Sequence, residues 1–82
     1  MAYVYILKSI NYPKTYIGST IDLERRMNEH NTGASTFSKR YKPWKIVYQE
    51  KYKDITTARR REKYLKSAAG RKFIQRNNII PR

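Results

Sequence analysis

Two titratable side chains fall beside the apolar stripe of the helix predicted for residues 21–31. Arg26 and His30 lie four residues apart, and at about 100° per residue both stand next to Leu23 and Met27. An arginine at the rim of a buried face needs an anion or another acceptor, because burying it unpaired costs several kcal/mol. The chain has only six acidic residues, so the position favours a phosphate ligand for Arg26 over a structural ion pair. For His30, a packed, hydrogen-bonded residue and a proton acceptor are equally good interpretations.

Glu62 is the carboxylate on the apolar stripe of a second long helix, between Ala58 and Leu65. Such a carboxylate can hold Mg²⁺ or Mn²⁺, ions that often bind through one or two carboxylates together with substrate phosphate oxygens. It can equally form a buried salt bridge with Arg26 or Lys66. The sequence leaves both interpretations of Glu62 open.

Three segments have the character of β-strands. Residues 3–7 are aromatic and β-branched and predict a central strand covered on both faces. Residues 15–17 follow a turn and predict a hairpin partner that Gly18 ends. Residues 44–52 alternate and predict a third strand, with one face formed by Trp44, Ile46 and Tyr48.

Two longer helices are predicted from caps and apolar spacing. The first spans residues 21–31, with Thr20 as its N-cap. The second is capped by Asp54 or Thr56 and runs through Ser67 to a break at Gly70. Its apolar stripe consists of Ile55, Ala58, Leu65 and Ala69.

A loop and a short third helix complete the predicted fold. The helix covers residues 71–77, with Phe73 and Ile74 as apolar anchors, and the loop covers residues 32–43. The loop's side chains suited to phosphate contacts are Ser35, Thr36, Ser38, Lys39, Arg40 and Lys42. The result is one α+β domain of residues 1–82, a small three-stranded antiparallel-type sheet with helices packed on it, in the order β-β-α-β-α-α.

The charge balance predicts a polyanionic partner. Nineteen Lys and Arg against six Asp and Glu give a net charge of +13, whereas an ordinary solvated surface mixes both signs. A nucleic acid is favoured over a membrane surface, because the basic helices carry only narrow apolar stripes that the core needs. The absence of cysteine excludes disulfides, a thiolate nucleophile and cysteine zinc sites. No apolar run is long enough for a membrane span or signal peptide, so the expected compartment is the cytoplasm.

In order along the chain, several motifs resemble those of the GIY-YIG nucleases: Val4-Tyr5-Ile6, Tyr16-Ile17-Gly18, Leu23-x-x-Arg26-x-x-x-His30 and Glu62. The likeness covers residues 3–73 and is to short stand-alone bacterial members, which are similar to the N-terminal domain of excinuclease C. Two positions depart from the family pattern. Tyr3 replaces the glycine of the first signature, and the asparagine that some members carry after the glutamate has no clear counterpart before Asn77.

The resemblance implies a DNA endonuclease that acts in DNA repair or processing. It would hydrolyse phosphodiester bonds with one divalent metal ion, Mg²⁺ or Mn²⁺. Glu62 would bind the metal, and Arg26 would stabilise charge on the phosphate. Tyr16 would accept the proton of the attacking water, with Tyr5 orienting water or phosphate and His30 as the alternative acceptor. Gly18 would let the backbone approach the phosphate. The residues expected to contact DNA are Gly18, Ser19, Lys39, Arg40 and Lys42.

Two other classes of function fit parts of the sequence. A non-catalytic nucleic-acid-binding module could keep the nuclease fold, although retention of all five catalytic candidates argues against that loss. A small structural or ribosome-associated basic protein is less consistent, because it would have no use for a carboxylate on an apolar stripe. Whether a partner protein supplies targeting is left open.

Overall fold

The sheet is built on the apolar strand near the N-terminus. In a computed structural model that describes residues 1–32 and 36–80, β1 (Ala2–Ser9) lies between β2 (Thr15–Thr20) and β3 (Trp44–Tyr52) and is antiparallel to both. Its central position confirms the prediction. A strand with neighbours on both edges and packed elements on both faces needs a nearly continuous apolar sequence.

Four helices accompany the sheet: α1 (Leu23–Thr32), α2 (Thr36–Tyr41), α3 (Ile55–Leu65) and α4 (Ala68–Arg76). The predicted order is confirmed, with α2 as an addition inside the segment predicted to be a loop. Six residues are too few for a helical apolar period to be recognised. None of the described helices is long and apolar enough to cross a membrane.

Alternate residues of β1 contribute to two separate apolar clusters, because successive side chains of a strand point to opposite faces. Val4 and Ile6 pack in one cluster with Ala58 and Leu65 of α3, and Ile74 of α4 joins them. The second cluster is on the other face and contains Tyr5, Leu7 and Trp44, with Leu23 and Met27 of α1 packed against it. The sheet therefore separates α1 from α3 and α4.

The first residues of the helices differ in part from the prediction. Asp22, not Thr20, caps α1, because its Oδ1 accepts from the Arg25 backbone N–H at 3.0 Å. Thr20 instead ends β2 and accepts from the Asp22 backbone N–H at 3.1 Å. Asp54 caps α3, as one of the two predicted alternatives, by accepting from the Thr57 backbone N–H at 2.8 Å.

The predicted break at Gly70 is wrong, because Gly70 lies inside α4. The chain breaks earlier: α3 ends at Leu65, and Ser67 caps α4 by accepting from the Gly70 backbone N–H. A methyl group on Gly70 would come within 2.2 Å of the Tyr64 carbonyl oxygen. Glycine thus permits the first turn of α4 to pack directly on the last turn of α3. Ala69 is consequently an exposed residue of α4 and not part of the α3 stripe.

An irregularity in β3 overturns the predicted shared face of Trp44, Ile46 and Tyr48. Ile46 lies opposite Leu7 and Tyr48 lies opposite Ile6, so Val47 is an extra residue at this point of the ladder. Because of the extra residue, the side chains of β3 after Val47 point to the opposite face from the one that strict alternation predicts. Trp44 and Ile46 therefore share the face of Leu7, whereas Tyr48 packs on the opposite face.

Candidate active site

Two tyrosines of the predicted site meet above Gly18. Gly18 is the cross-strand partner of Tyr5 in the middle of β2, so it does not end that strand as predicted. A methyl group on Gly18 would lie 2.5 Å from Tyr5 Oη and 2.9 Å from Tyr16 Cε1. The rings of Tyr5 and Tyr16 are stacked, with centroids 6.2 Å apart. The missing side chain of Gly18 therefore makes room for the two tyrosine rings.

His30 joins the tyrosines from the last turn of α1. Its ring is fully buried, its Nε2 lies 3.1 Å from Tyr5 Oη, and its centroid lies 4.7 Å from that of Tyr16. Burial and, next, the positive charge of Arg26 lower the pKa of His30, so the imidazole is neutral at neutral pH. Its Nδ1 is buried and has no hydrogen-bond partner among the described residues.

The ring nitrogen that carries the proton follows from the surroundings of His30. A buried N–H without an acceptor is rarer than a buried acceptor without a donor, which favours the proton on Nε2. In that tautomer Nε2–H donates to Tyr5 Oη, and the Tyr5 hydroxyl proton is free to point toward a substrate.

Arg26 reaches the same face from α1 and is one third exposed. Its pKa is raised by hydrogen bonding with Tyr5, an effect that outweighs partial burial, and also by hydrogen bonds with Glu29 and Tyr16. The Nη1 atom of Arg26 lies 3.1 Å from Glu29 Oε1 in an i,i+3 ion pair. Arg26 thus has both the ion pair that the structural interpretation requires and the position beside the tyrosines that phosphate binding requires.

The hydroxyl of Tyr5 stays protonated at neutral pH. Burial raises the pKa of Tyr5 to about 12, although hydrogen bonding with Arg26 acts in the opposite direction. Arg26 therefore lowers the pKa of this phenol, but by less than burial raises it. Tyr5 is therefore a phenol and not a phenolate at neutral pH, and its hydroxyl keeps a proton that it can donate.

Glu62 approaches from the opposite face of the sheet. Its Oε1 accepts from Ser19 Oγ at 2.5 Å, and its Oε2 lies 2.7 Å from Lys66 Nζ. Of the two salt bridges considered from the sequence, the structure contains the one with Lys66, and Arg26 pairs with Glu29 instead. Ser19 pairs with Val4 and so shares the face of α3, whereas Tyr5 lies on the face of α1.

The two halves of the site flank the edge strand β2. Tyr5, Tyr16, Arg26 and His30 are brought together on one side, and Glu62 stands on the other, near enough for its charge to contribute to raising the pKa of Tyr5. The half-buried carboxylate of Glu62 can serve as the single protein carboxylate of a Mg²⁺ or Mn²⁺ site completed by water and substrate oxygens. No group of three His, Cys, Asp or Glu that could hold a metal occurs within residues 1–32 and 36–80.

The other residues predicted to contact phosphate or DNA belong mainly to the segment 35–42. Lys39 and Arg40 of α2 and Lys42 after it are exposed, and Ser35 lies outside the described residues, as do the side chains of Thr36 and Ser38. Sequence reasoning missed Glu29 as the partner of Arg26, although the i,i+3 spacing indicates it. It also assigned Ser19 to DNA without anticipating its contact with Glu62, which depends on long-range packing that no local pattern signals.

The antiparallel three-stranded sheet with helices packed on both faces is consistent with the GIY-YIG fold. The family model described as the GIY-YIG catalytic domain matches residues 1–77, so the chain belongs to the GIY-YIG family, which is a nuclease family.

Curated relatives of similar length are short GIY-YIG proteins. A UPF0213 protein of Clostridium perfringens is 36% identical over 76 residues, covering 92% of this chain and 81% of the relative. A UPF0213 protein of Syntrophus aciditrophicus is 33% identical over 76 residues, covering 89% and 85%. A UPF0213 protein of Streptococcus agalactiae is 35% identical over 66 residues, covering 79% and 74%. No solved structure matches the chain.

Proposed function

We propose that this protein is a DNA endonuclease that hydrolyses a phosphodiester bond with one bound Mg²⁺ or Mn²⁺, in DNA repair or processing. The observation that supports it most is the grouping of Tyr5, Tyr16, Arg26 and His30 beside an edge strand, with Glu62 across that strand. The net charge of +13 supplies the attraction to a polyanion.

Within this proposal, proton transfer and phosphate binding are carried out by residues on the face of the sheet that α1 covers. Tyr16 is half-buried and accepts the proton of the attacking water, whereas Tyr5, protonated and held by His30, donates to water or phosphate. His30 is fully enclosed, which favours a role in positioning Tyr5 over direct contact with water. Arg26 stabilises the charge that develops on the phosphate oxygens, and the phosphate competes with Glu29 for its guanidinium.

Glu62 holds the metal in this proposal. Its Oε1 accepts from Ser19 and its Oε2 pairs with Lys66, and the remaining lone pairs of this carboxylate would be the ones to hold the ion. An ion held there would supply Lewis-acid stabilisation of the charge on the scissile phosphate. The hydrogen bond from Ser19 orients the carboxylate, and its ion-pair partner Lys66 is about half exposed.

A cleavage assay tests the proposal. Purified protein is incubated with duplex, branched and single-stranded DNA at several Mg²⁺ and Mn²⁺ concentrations, with EDTA as the metal-free reference. Tyr16→Phe should abolish cleavage because it removes one hydroxyl, whereas Tyr64→Phe, on an exposed tyrosine of α3, should cleave like the wild type. Metal-independent cleavage, or equal rates for the two variants, would contradict the assignment.

A second candidate function is nucleic-acid binding without turnover. It is favoured by one observation, that Glu62 and Arg26 both already have ion-pair partners in the folded protein. The same assay separates the candidates, because a binding module retains DNA affinity and produces no cleavage with any metal or DNA form.

A further inference from the structure

The tip of the β1–β2 hairpin and the end of α2 form a basic aromatic surface outside the proposed catalytic group. Tyr12 is 46% exposed, and its ring meets that of Tyr41 edge-on, with centroids 5.5 Å apart. Lys14 Nζ lies 5.4 Å from the centroid of the Tyr41 ring. We call Tyr12, Tyr41 and Lys14 the hairpin patch.

The backbone of the hairpin patch is fixed by a buried hydroxyl. Ser9 is 1% exposed, its Oγ donates to the Tyr41 carbonyl at 2.6 Å, and the same oxygen accepts from the Tyr12 backbone N–H at 3.2 Å. A backbone hydrogen bond from Ile10 N–H to the Pro43 carbonyl, at 3.0 Å, joins the two segments again. The two tyrosines are therefore held together before any ligand arrives, which reduces the ordering cost of binding.

The charges around the patch have one sign. Lys8 Nζ lies 3.0 Å from the Tyr12 carbonyl oxygen, and the exposed Lys42 directly follows Tyr41. All six acidic residues fall within residues 22–29 and 50–62, so none belongs to the β1–β2 hairpin or to α2. Among the described residues, no carboxylate pairs with Lys8, Lys14 or Lys42. The complementary ligand is thus an anion that also offers a flat ring.

The patch is continuous with the proposed catalytic face. Tyr41 packs against the cluster of Tyr5, Leu7 and Trp44, and Tyr16 packs against the same cluster. A DNA strand with its phosphate at Tyr16 can therefore extend toward Tyr41. Exposed aromatic rings beside cations bind single strands through base stacking and phosphate contacts, and a base inside a duplex offers no free face to such a ring.

We propose that the hairpin patch stacks an unpaired base of the DNA strand held in the active site. The inference rests on the proposed nuclease function and names its substrate class: DNA with a single-stranded segment beside the cleaved bond, such as a flap or a branch. Tyr12 presents the stacking surface, and Lys14 contacts a neighbouring phosphate.

Binding measured in EDTA tests the patch separately from catalysis. Tyr12→Ala should weaken binding of a fluorescently labelled single strand by about 5-fold or more, and should change binding of the matching duplex by less than about 2-fold. Tyr12→Phe keeps the ring and should bind the single strand like the wild type. Tyr64→Ala is the matched control, because Tyr64 is 41% exposed and also lies beside a cation, Arg61.

A second readout uses the unaltered protein. A single strand carrying 2-aminopurine should lose fluorescence on binding, because stacking on an aromatic ring quenches that base. Fluorescence that stays unchanged when the strand is fully bound would overturn the proposal. Equal losses of single-strand affinity in Tyr12→Ala and Tyr64→Ala would also overturn it, and so would an equal loss of affinity for single strand and duplex in Tyr12→Ala. A complete lack of cleavage with Mg²⁺ or Mn²⁺ would contradict the nuclease assignment alone, since these binding results do not depend on turnover.

Discussion

Glu62 has a structural partner that contributes little to stability. Lys66 is about half exposed, and ion pairs in solvent are worth roughly 0 to 1 kcal/mol. The carboxylate is less exposed than its partner, so its desolvation offsets part of that small gain. These contacts favour a chemical reason for Glu62 over a structural one.

We expect Glu62→Gln to abolish metal-dependent cleavage while changing the free energy of unfolding without metal by less than about 1 kcal/mol. DNA affinity should stay equal or rise slightly, because a negative charge near the phosphates is removed. Thermal melts in EDTA and the cleavage assay measure both effects, with Glu24→Gln on α1 as the control for a change of one charge. A variant that melts early and cleaves at the wild-type rate would show that Glu62 is a structural ion-pair residue.

At the scale of single residues, the sequence indicates which side chains are unusual but not what they touch. Arg26 and His30 lie beside one apolar stripe and Glu62 interrupts another, and a helical period is enough to find all three. The burial of His30 and the contact between Ser19 and Glu62 depend on how helices meet the sheet. Those contacts join residues 25 and 43 positions apart, beyond any local pattern.

Among the strands, β3 contributes Trp44 to the apolar cluster on the face of the sheet that α1 covers. This side chain is only 3% exposed, and it packs with Tyr5 and Leu7. We expect Trp44→Ala to reduce the free energy of unfolding by about 3 to 5 kcal/mol, through lost burial and the cavity left behind. Chemical denaturation measures the change, and Lys45→Ala on the same strand is the exposed control. A loss below about 0.5 kcal/mol would contradict the buried position.

β3 is joined to α3 by the carboxylate of Glu50. Arg61 donates to both of its oxygens, at 2.9 and 3.1 Å, and the hydroxyls of Tyr48 and Tyr52 donate as well. Burial by itself would raise the pKa of Glu50, but the hydrogen bond from Arg61 and those from the tyrosines outweigh it and leave the pKa lowered. A carboxyl with a lowered pKa in the folded state adds stability above its unfolded pKa, and that stability is lost as pH falls through the folded value.

We therefore expect stability to fall on acidification below the ordinary glutamate pKa of 4.5. Glu50→Gln should be less stable than the wild type at neutral pH and should lose less stability in acid. Denaturation curves at a series of pH values test this, with Glu24→Gln as the control because Glu24 is exposed. A pH dependence that is identical in Glu50→Gln and Glu24→Gln would rule out this role for Glu50.

The order of the elements follows from local patterns, whereas their boundaries and faces do not. The apolar run of β1 and the cap of α3 are predictable, because each has a nearby physical cause. Gly18 and Gly70 both have the sequence character of element ends, since glycine commonly ends helices and strands. In the structure each glycine serves a close contact with residues elsewhere in the fold, and the extra Val47 in β3 has no marker in the sequence.

For the whole molecule, we expect DNA binding to be mainly electrostatic. If Z phosphates of duplex DNA are contacted, log K should decrease with log salt at a slope of about −0.9Z. Replacing Lys39, Arg40 and Lys42 by glutamine should reduce the magnitude of that slope by about 1 for each lost phosphate contact. Fluorescence titrations over a range of KCl concentrations provide the slope, and Lys53→Gln is the control with one exposed charge removed outside this segment. An affinity independent of salt would contradict the prediction.

The placement of the candidate residues on opposite faces of one sheet links activity to completion of folding. Tyr5 takes its position from the cluster that includes Trp44, and Glu62 takes its position from the cluster that includes Leu65. A chain in which only one cluster has formed still carries its full positive charge and can still attract DNA, but it lacks half of the proposed active site. Under the proposed function, cleavage would therefore require both faces of the sheet to be packed, whereas attraction of DNA by charge would not.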